Sequence, residues 1–439
     1  MGASEQRFVE TELLRCNRCG YCMATCPTYR VTRSERSVAR GRNELVRTLG
    51  DGVPAEGDRL TPISECLLCG ACTQACFGKV QTNEIMVRAR QALVEAKGRP
   101  VAQKLIFDEL LGYPRRLTAL MRMLSLGKRS GLGEIAHRLG LLRWIHATLE
   151  GANGLVETMP RRFLRDRLPG MGFQRQTDSG VGVWVWPRRT EAPEGAPKVL
   201  VFLGCGTNYQ LPRQGEAALK LLWHAGCEVV VAPNVCCGLP PYSYGDLEAA
   251  RNLARRNLKI LGDLSCDLVV TECGSCSAFL KKWPQLLEGE ECAAQAQELA
   301  GRVKDLMELL PELSLPSAGK TRGTVTYHDP CHLGRGQEIR EQPRKLLRDV
   351  AGLEVCELTE ADWCCGGAGS YNLAHPELSL QILQRKMGRV ADTGAEGVAS
   401  ACPSCVLQLR YGSRKFGPSK PVSHVAELMA EGLGIDLEP

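Results

Sequence analysis

The chain of 439 residues has room for about two to four domains, and 44% hydrophobic with 24% charged residues excludes a disordered or fibrous polymer. No apolar run approaches the roughly 18 residues of a membrane span. The net charge is +6, but 5% aromatics and none of the standard nucleic-acid-binding motifs argue against a nucleic-acid partner.

Cysteine is the outlier, with 22 copies. The N-terminal stretch "MGASEQRFVETELLRC" is charged and has no apolar export segment. Thiols in such a chain stay free for metals or catalysis rather than disulfides. The expected location is cytoplasmic, with a peripheral position at the inner face of the cytoplasmic membrane left open.

Residues 1–96 hold eight cysteines in two tight clusters, separated by helix-forming stretches such as "GRNELVRTLG" and "TNEIMVRARQALVEA". This part is expected to be all-α. Residues 97–196 contain no cysteine and read as a helical connector, with helices at "VAQKLIFDELLGY" and "GEIAHRLGLLRWIHATLE" and a linker at "PRRTEAPEGAPK". From Lys97 to Thr190 there are 17 Lys or Arg against 7 Asp or Glu, an excess of +10 that leaves −4 for the rest of the chain. Such a segment suits an anionic membrane surface, an acidic partner or, least of the three, nucleic acid; a solvated helical face is the plainer alternative.

From Lys198 the pattern alternates. Strand "KVLVFLGC", helix "QGEAALKLLWHAG", strand "CEVVVAP", helix "GDLEAARNLARRNLKILGDL" and strand "DLVVTECGSC" come first. Strand "GTVTYHDPC", helix "QPRKLLRDVAG", strand "LEVCEL", helix "HPELSLQILQRKMGRVADTG" and strand "GVASACPSC" then repeat the order, before a closing helix "VSHVAELMAEGLG". This alternation predicts parallel sheets covered by helices. Cys205 to Cys331 is an offset of 126, Cys236 to Cys364 of 128, and Cys273 to Cys402 of 129, so the C-terminal half is a tandem duplication. The expected units are 1–96, 97–196, 197–320 and 321–439.

Each N-terminal cluster reads Cys-x2-Cys-x2-Cys-x3-Cys. Three thiolates at this spacing wrap one face of a cubane, and the fourth reaches the other cluster. Cys16, Cys19, Cys22 and Cys76 are therefore assigned to one 4Fe–4S cluster, and Cys66, Cys69, Cys72 and Cys26 to the second. Zinc sites usually space Cys-x2-Cys pairs rather than triplets plus one. The second motif has Phe77 where proline is usual. With 39 residues between Cys26 and Cys66, this part resembles the all-α ferredoxin domain of succinate dehydrogenase-type iron–sulfur subunits.

The duplicated units each contain a vicinal pair. Cys205 is followed by Cys236-Cys237-Gly238 and Cys273-Gly-Ser-Cys276; Cys331 is followed by Cys364-Cys365-Gly366 and Cys402-Pro-Ser-Cys405. Successive side chains of an extended backbone point to opposite sides, so a vicinal pair can bridge two irons only where the chain kinks, which glycine permits. Five cysteines in this order and spacing resemble the two CCG domains of the heterodisulfide reductase and glycolate/lactate oxidase iron–sulfur subunit family. The resemblance implies a noncubane 4Fe–4S cluster at one or both of two sets, Cys205, Cys236, Cys237, Cys273, Cys276 and Cys331, Cys364, Cys365, Cys402, Cys405; zinc or a purely structural role is the alternative. His332 and His328-Asp329 are candidates for proton transfer near the second set, with a hydrogen-bonded structural role as the favoured reading. Cys227, Cys266, Cys292 and Cys356 fit no motif and read as small buried apolar residues.

The resemblance to the iron–sulfur subunit of glycolate oxidase extends over nearly the whole chain, including "ARGRNELV" from Ala39. It implies an α+β multidomain protein, with an N-terminal ferredoxin-like domain, a helical connector and two tandem α/β CCG domains. The implied function is electron transfer within a flavin-dependent glycolate or D-lactate dehydrogenase, between an FAD-binding partner subunit and a quinone or other acceptor. The alternative is a heterodisulfide or disulfide reductase acting at the CCG clusters. No catalytic residue, and no cofactor-binding residue beyond the cluster ligands, is assigned on this chain.

Overall fold

The structure, a computed structural model, describes residues 3–50, 60–130, 158–318, 322–417 and 419–438. Its N-terminal part is helical. Helices Ala3–Leu14, Ala39–Gly50 and Thr82–Lys97 enclose a small core of Val9, Leu13, Ile63, Val80, Ile85 and Met86. The helix expected at 133–150 lies outside the described residues.

Two sheets follow. The first contains β1 (Gln174–Asp178), β2 (Val181–Trp186), β3 (Lys198–Val201), β4 (Glu228–Val231), β5 (Leu268–Thr271) and β6 (Val303–Asp305), in the order β1-β2-β4-β3-β5-β6. Strands β3 to β6 are parallel. The second contains β7 (Thr324–His328), β8 (Glu354–Cys356), β9 (Gly397–Ser400) and β10 (Val422–His424), all parallel, in the order β10-β9-β7-β8. Counted from the first parallel strand of each sheet, both orders are second-first-third-fourth. The repeat in cysteine spacing is thus a repeat of topology.

That order matters for the site. From the first parallel strand the chain steps to one neighbour and then crosses to the other side, which opens a crevice beyond the carboxyl ends of the strands. The central strands are short apolar runs buried between helices; Val199, Leu200 and Val201 of β3 are all buried, as are Val229, Val230 and Val231 of β4. Helices Pro212–His224 and Leu247–Leu261 flank the first sheet, the latter capped by the Asp246 carboxylate, which accepts from the Ala249 N–H at 3.1 Å.

Three stretches differ from the expectation. Residues 174–186, read as part of the connector, form the hairpin β1–β2, and β2 pairs antiparallel with β4. Val183 and Val185 turn inward while Ser179 and Gly180 both take positive φ, the backbone of a tight two-residue hairpin turn. Strand β6 extends the far edge. Strand β10 precedes the closing helix, which begins only at Val425 because His424 caps it. The His424 ring accepts from the Ala426 N–H at 3.1 Å, and the Glu427 carboxylate accepts from the His424 N–H at 2.8 Å.

The helical part is bound to the first sheet by arginine. Arg90 donates to the carbonyls of Ile63, Ser64 and Cys66 and, across the junction, to that of Ser243 at 2.5 Å. Arg99 bridges Asp108 and Asp246. Cys227 and Cys266 are buried in the core as expected, but Cys292, in the turn before helix Ala293–Gly301, and Cys356, on edge strand β8, are only half-buried. Among the described residues no helix is long and apolar enough to cross a membrane.

Replacing Arg90 with Met strands four backbone acceptors, so Arg90→Met should destabilise the protein by about 1–3 kcal/mol, read as a lowered midpoint in thermal unfolding. Burial pushes the Cys227 and Cys266 thiols up to about 11. In the folded protein at pH 8 both should resist iodoacetamide, and mass spectrometry should find them alkylated only after denaturation.

Candidate metal centres

The two N-terminal motifs interlock. Cys16 and Cys19 lie on the loop before the short helix Cys22–Thr25, which Cys22 begins, and Cys66 and Cys69 on the loop before Ala71–Ala75, whose second residue is Cys72. A cavity is lined by Cys66, Cys69 and Cys72 together with Cys26 from the first motif. Cys76, from the second motif, returns towards the first: a side chain at the adjoining Gly78 would lie 3.0 Å from the Arg15 carbonyl and 3.8 Å from Cys76 Sγ. Phe77, at the position usually held by proline, packs edge-to-face on Tyr21 with ring centroids 4.8 Å apart.

Arg42, from the "ARGRNELV" stretch, forms part of that cavity's wall. It is buried and donates to the Pro62 carbonyl at 2.7 Å, the Thr28 hydroxyl at 3.0 Å and Cys26 Sγ at 3.8 Å.

The ten cysteines of the duplicated units lie at the carboxyl ends of the parallel strands. Cys205 follows β3, Cys236 and Cys237 follow β4, and Cys273 follows β5; Cys331, Cys364, Cys365 and Cys402 occupy the matching places after β7, β8 and β9. Gly238 and Gly366, each directly after a vicinal pair, have φ of +99° and +84°. A side chain at Gly366 would lie 2.7 Å from the Ser379 carbonyl, so both the turn and the close approach demand glycine there.

The thiols form one continuous row. Cys205 neighbours Cys236, Cys236 neighbours Cys237, Cys237 neighbours Cys276, and Cys276 neighbours Cys273. Cys273 of the first unit meets Cys402 of the second, which continues through Cys405, Cys365 and Cys364 to Cys331. Cys365 and Cys405 Sγ are 3.6 Å apart. Cys205 is exposed and Cys331 half-buried; the eight between them are buried.

The far end of the row meets the N-terminal cavity. Leu67 and Cys69 pack with Trp363, Cys364 and Tyr371 in one cluster, and the Tyr371 hydroxyl donates to the Glu65 carbonyl at 3.0 Å. The mostly buried Arg335 guanidinium sits where the fields of Cys69, Cys331 and Cys364 overlap, held by Asp362 at 3.1 Å and Gln74 at 3.2 Å. The cysteine sets therefore follow the order Cys16, Cys66, Cys331, Cys205, with the cysteines of the second unit nearest the N-terminal cavity.

This donor set fits iron–sulfur clusters. None of the cysteines is in a disulfide. Burial pushes the Cys69 thiol up to about 12 and drives Cys72 well above its ordinary range, where Cys66, Cys69, Cys26 and Cys22 reinforce the effect. In the row, Cys237 and Cys365 are held well below the usual range by thiol donors on both sides, while Cys276 and Cys405 are driven up. Buried sulfurs this close cannot all ionise unless a multivalent cation balances them.

The polar residues beside the row separate into two kinds. His332 Nδ1 is 2.9 Å from the Ser275 hydroxyl, which in turn lies 3.5 Å from Cys402 Sγ, and Asp329 is gripped by Arg344 at 2.8 and 2.9 Å. Both are hydrogen-bonded as the structural reading expects. His328 is not: it is buried with neither ring nitrogen hydrogen-bonded, and burial, then the Lys386 ammonium, pushes it down to about 3. Arg42, Arg335 and Ser275 carry no motif of their own. Only Arg42 could have been suspected, since it lies in a stretch the family resemblance singles out.

Comparisons with known proteins follow the same division. Residues 12–80 match the 4Fe-4S dicluster domain, residues 98–156 the linker region of the glycolate oxidase iron-sulfur subunit, and residues 199–281 and 325–410 the cysteine-rich domain. A probable glycolate oxidase iron-sulfur subunit of Bacillus subtilis is 32% identical, over 98% of this chain and 96% of its own length. Lactate utilization protein A of Geobacillus kaustophilus is 31% identical over 53% of this chain and 98% of its own. The crystal structure of a hypothetical protein from Helicobacter pylori shares the fold, with a TM-score of 0.53 at 8% identity over 99% of this chain and 73% of that one. Matched in each of its regions and along nearly its whole length, the chain belongs to the glycolate oxidase iron–sulfur subunit family.

Proposed function

We propose that this chain is the electron-transfer subunit of a flavin-dependent dehydrogenase for glycolate, D-lactate or a related 2-hydroxy acid. An FAD-binding partner would oxidise the hydroxy acid to the 2-oxo acid, releasing two electrons and two protons. This chain would take the electrons singly at its N-terminal end and give them up towards a quinone or another acceptor. The observation that carries the reading is the single row of cysteine sets, which runs from the half-buried and exposed thiols at Cys16, Cys19 and Cys22 to the exposed Cys205. The names of the relatives, glycolate oxidase and lactate utilization, support the substrate class.

Cys16, Cys19, Cys22 and Cys76 would hold one cubane 4Fe–4S cluster; Cys66, Cys69, Cys72 and Cys26, which share a cavity, would hold the other. Cys205, Cys236, Cys237, Cys273 and Cys276 would hold one noncubane cluster, and Cys331, Cys364, Cys365, Cys402 and Cys405 a second. Bound there, such clusters supply one-electron chemistry. The contact of Cys273 with Cys402 across the two units also favours a second reading, in which paired one-electron centres cleave a disulfide.

The connector offers a docking face. Val101, Leu105, Ile106, Met123, Leu124 and Leu126 are exposed on helical segments that also carry Lys104, Arg115, Arg116, Lys128 and Arg129. Apolar and basic side chains together on these segments suit the anionic surface of a membrane.

Prepared without oxygen, the chain should contain about sixteen iron atoms and as many sulfides. Cys26→Ser should disturb the same spectroscopic centre as Cys69→Ser, and Cys76→Ser the same centre as Cys16→Ser; the opposite grouping would break the crossed ligation. Glycolate or lactate should bleach the visible absorption only when the flavoprotein is present, whereas turnover of a disulfide by the isolated chain would favour the second reading. The protein should sediment with vesicles rich in phosphatidylserine at low salt and be released as salt rises; full recovery in the supernatant at low salt would remove the membrane contact.

A further inference from the structure

The duplicated units differ at one buried position. Cys331 is preceded three residues earlier by His328, the last residue of β7, whereas Cys205 is preceded at the same spacing by Phe202, just beyond β3. Both side chains are buried, at 1% and 0% exposure. Chain alignment across the repeat thus places an imidazole beside the second set of cysteines where the first set has only a phenyl ring.

The imidazole is in ligand range. A ring nitrogen of His328, Cys365 Sγ and Cys405 Sγ all lie within 4.8 Å of one another, and the two thiols are 3.6 Å apart. Neither ring nitrogen is hydrogen-bonded; the Ala361 carbonyl faces the ring without hydrogen-bond geometry. Buried polar groups nearly always have a partner. The strand holds the residue firmly, since His328 pairs with Ser400 in the sheet and its carbonyl accepts from the Ser400 hydroxyl at 3.2 Å. Asp329 cannot serve as partner because both its oxygens are committed to Arg344. The Ala361 carbonyl is likewise committed, accepting from the Asp329 N–H and from Lys386, each at 3.1 Å.

We propose that His328 is a nitrogen ligand of the iron–sulfur centre in the second unit, so that the two centres differ: sulfur alone in the first, sulfur and nitrogen in the second. The proposal rests on the reading that Cys331, Cys364, Cys365, Cys402 and Cys405 hold such a centre.

The test is pulsed electron paramagnetic resonance on the full chain, prepared anaerobically with histidine labelled with nitrogen-15. A paramagnetic signal that Cys365→Ser abolishes identifies the second centre. That signal should carry a nitrogen-15 coupling of the size of a direct iron–nitrogen bond, and the coupling should vanish in His328→Phe while the first centre is untouched. The reciprocal variant Phe202→His should bring a nitrogen coupling to the first centre. A second centre present with full iron but with no histidine coupling, or with one too weak for a direct bond, overturns the proposal without touching the electron-transfer reading; that decision needs only the wild-type protein. If Cys365→Ser leaves iron content and every signal unchanged, the second unit holds no cluster and both readings fall together.

Discussion

The constraint on which the structure depends is the repulsion among closely packed sulfurs. Eight of the ten cysteines in the row are buried, and each neighbours another thiol. Taking even one such thiolate out of water is costly, and a file of them is prohibitive without multivalent cations. A fold that gathers so many thiols at the carboxyl ends of its strands is therefore suited to metal. The protein itself provides some positive charge, at Arg42 beside Cys26, at Arg335 between Cys69, Cys331 and Cys364, and at Lys386 near Cys364 and Cys365.

Duplication explains how the row was assembled. Each parallel sheet has the same strand order, and each opens its crevice beyond the carboxyl ends of its strands. When two such units pack with their crevices facing, the third-strand cysteines, Cys273 and Cys402, become neighbours. One apolar core containing Cys273, Cys276, Cys365, Cys402 and Cys405 spans both units, so the sulfur row and the packing that unites the units coincide. The copies are not equivalent in their surroundings. The second abuts the ferredoxin-like part through Leu67, Trp363 and Tyr371; the first carries the extra antiparallel hairpin, on the edge away from β5.

The helical part is held by side chains that reach backbone carbonyls. Arg90 fastens the loop that carries Cys66 and crosses to Ser243 in the same stroke. The Tyr242 hydroxyl donates to Glu84 at 2.5 Å, and Lys282 pairs with the same carboxylate. These contacts fix how the N-terminal cavity lies against Cys331 and Cys364, and with it the order of the cysteine sets.

The separate parts are legible in the linear chain. The two Cys-x2-Cys-x2-Cys-x3-Cys motifs, the five-cysteine sets and their offsets are local in the chain, and the strand–helix alternation follows from apolar runs a few residues long. The hairpin at 174–186 was also legible in the alternation around Val183 and Val185 and in the Ser179-Gly180 turn, but a basic and proline-flanked context concealed it. The start of the last helix at Val425 rested on a histidine cap, for which the sequence offers only a weak signal. Tertiary structure alone decided that the cysteine set of the second unit, rather than that of the first, lies against the N-terminal cavity, that Cys273 meets Cys402, and that His328 stands without a hydrogen bond against Cys365 and Cys405. Those relations join residues separated by tens to hundreds of positions, and they arise from which apolar surfaces close on one another, a property of packing that no local spacing encodes.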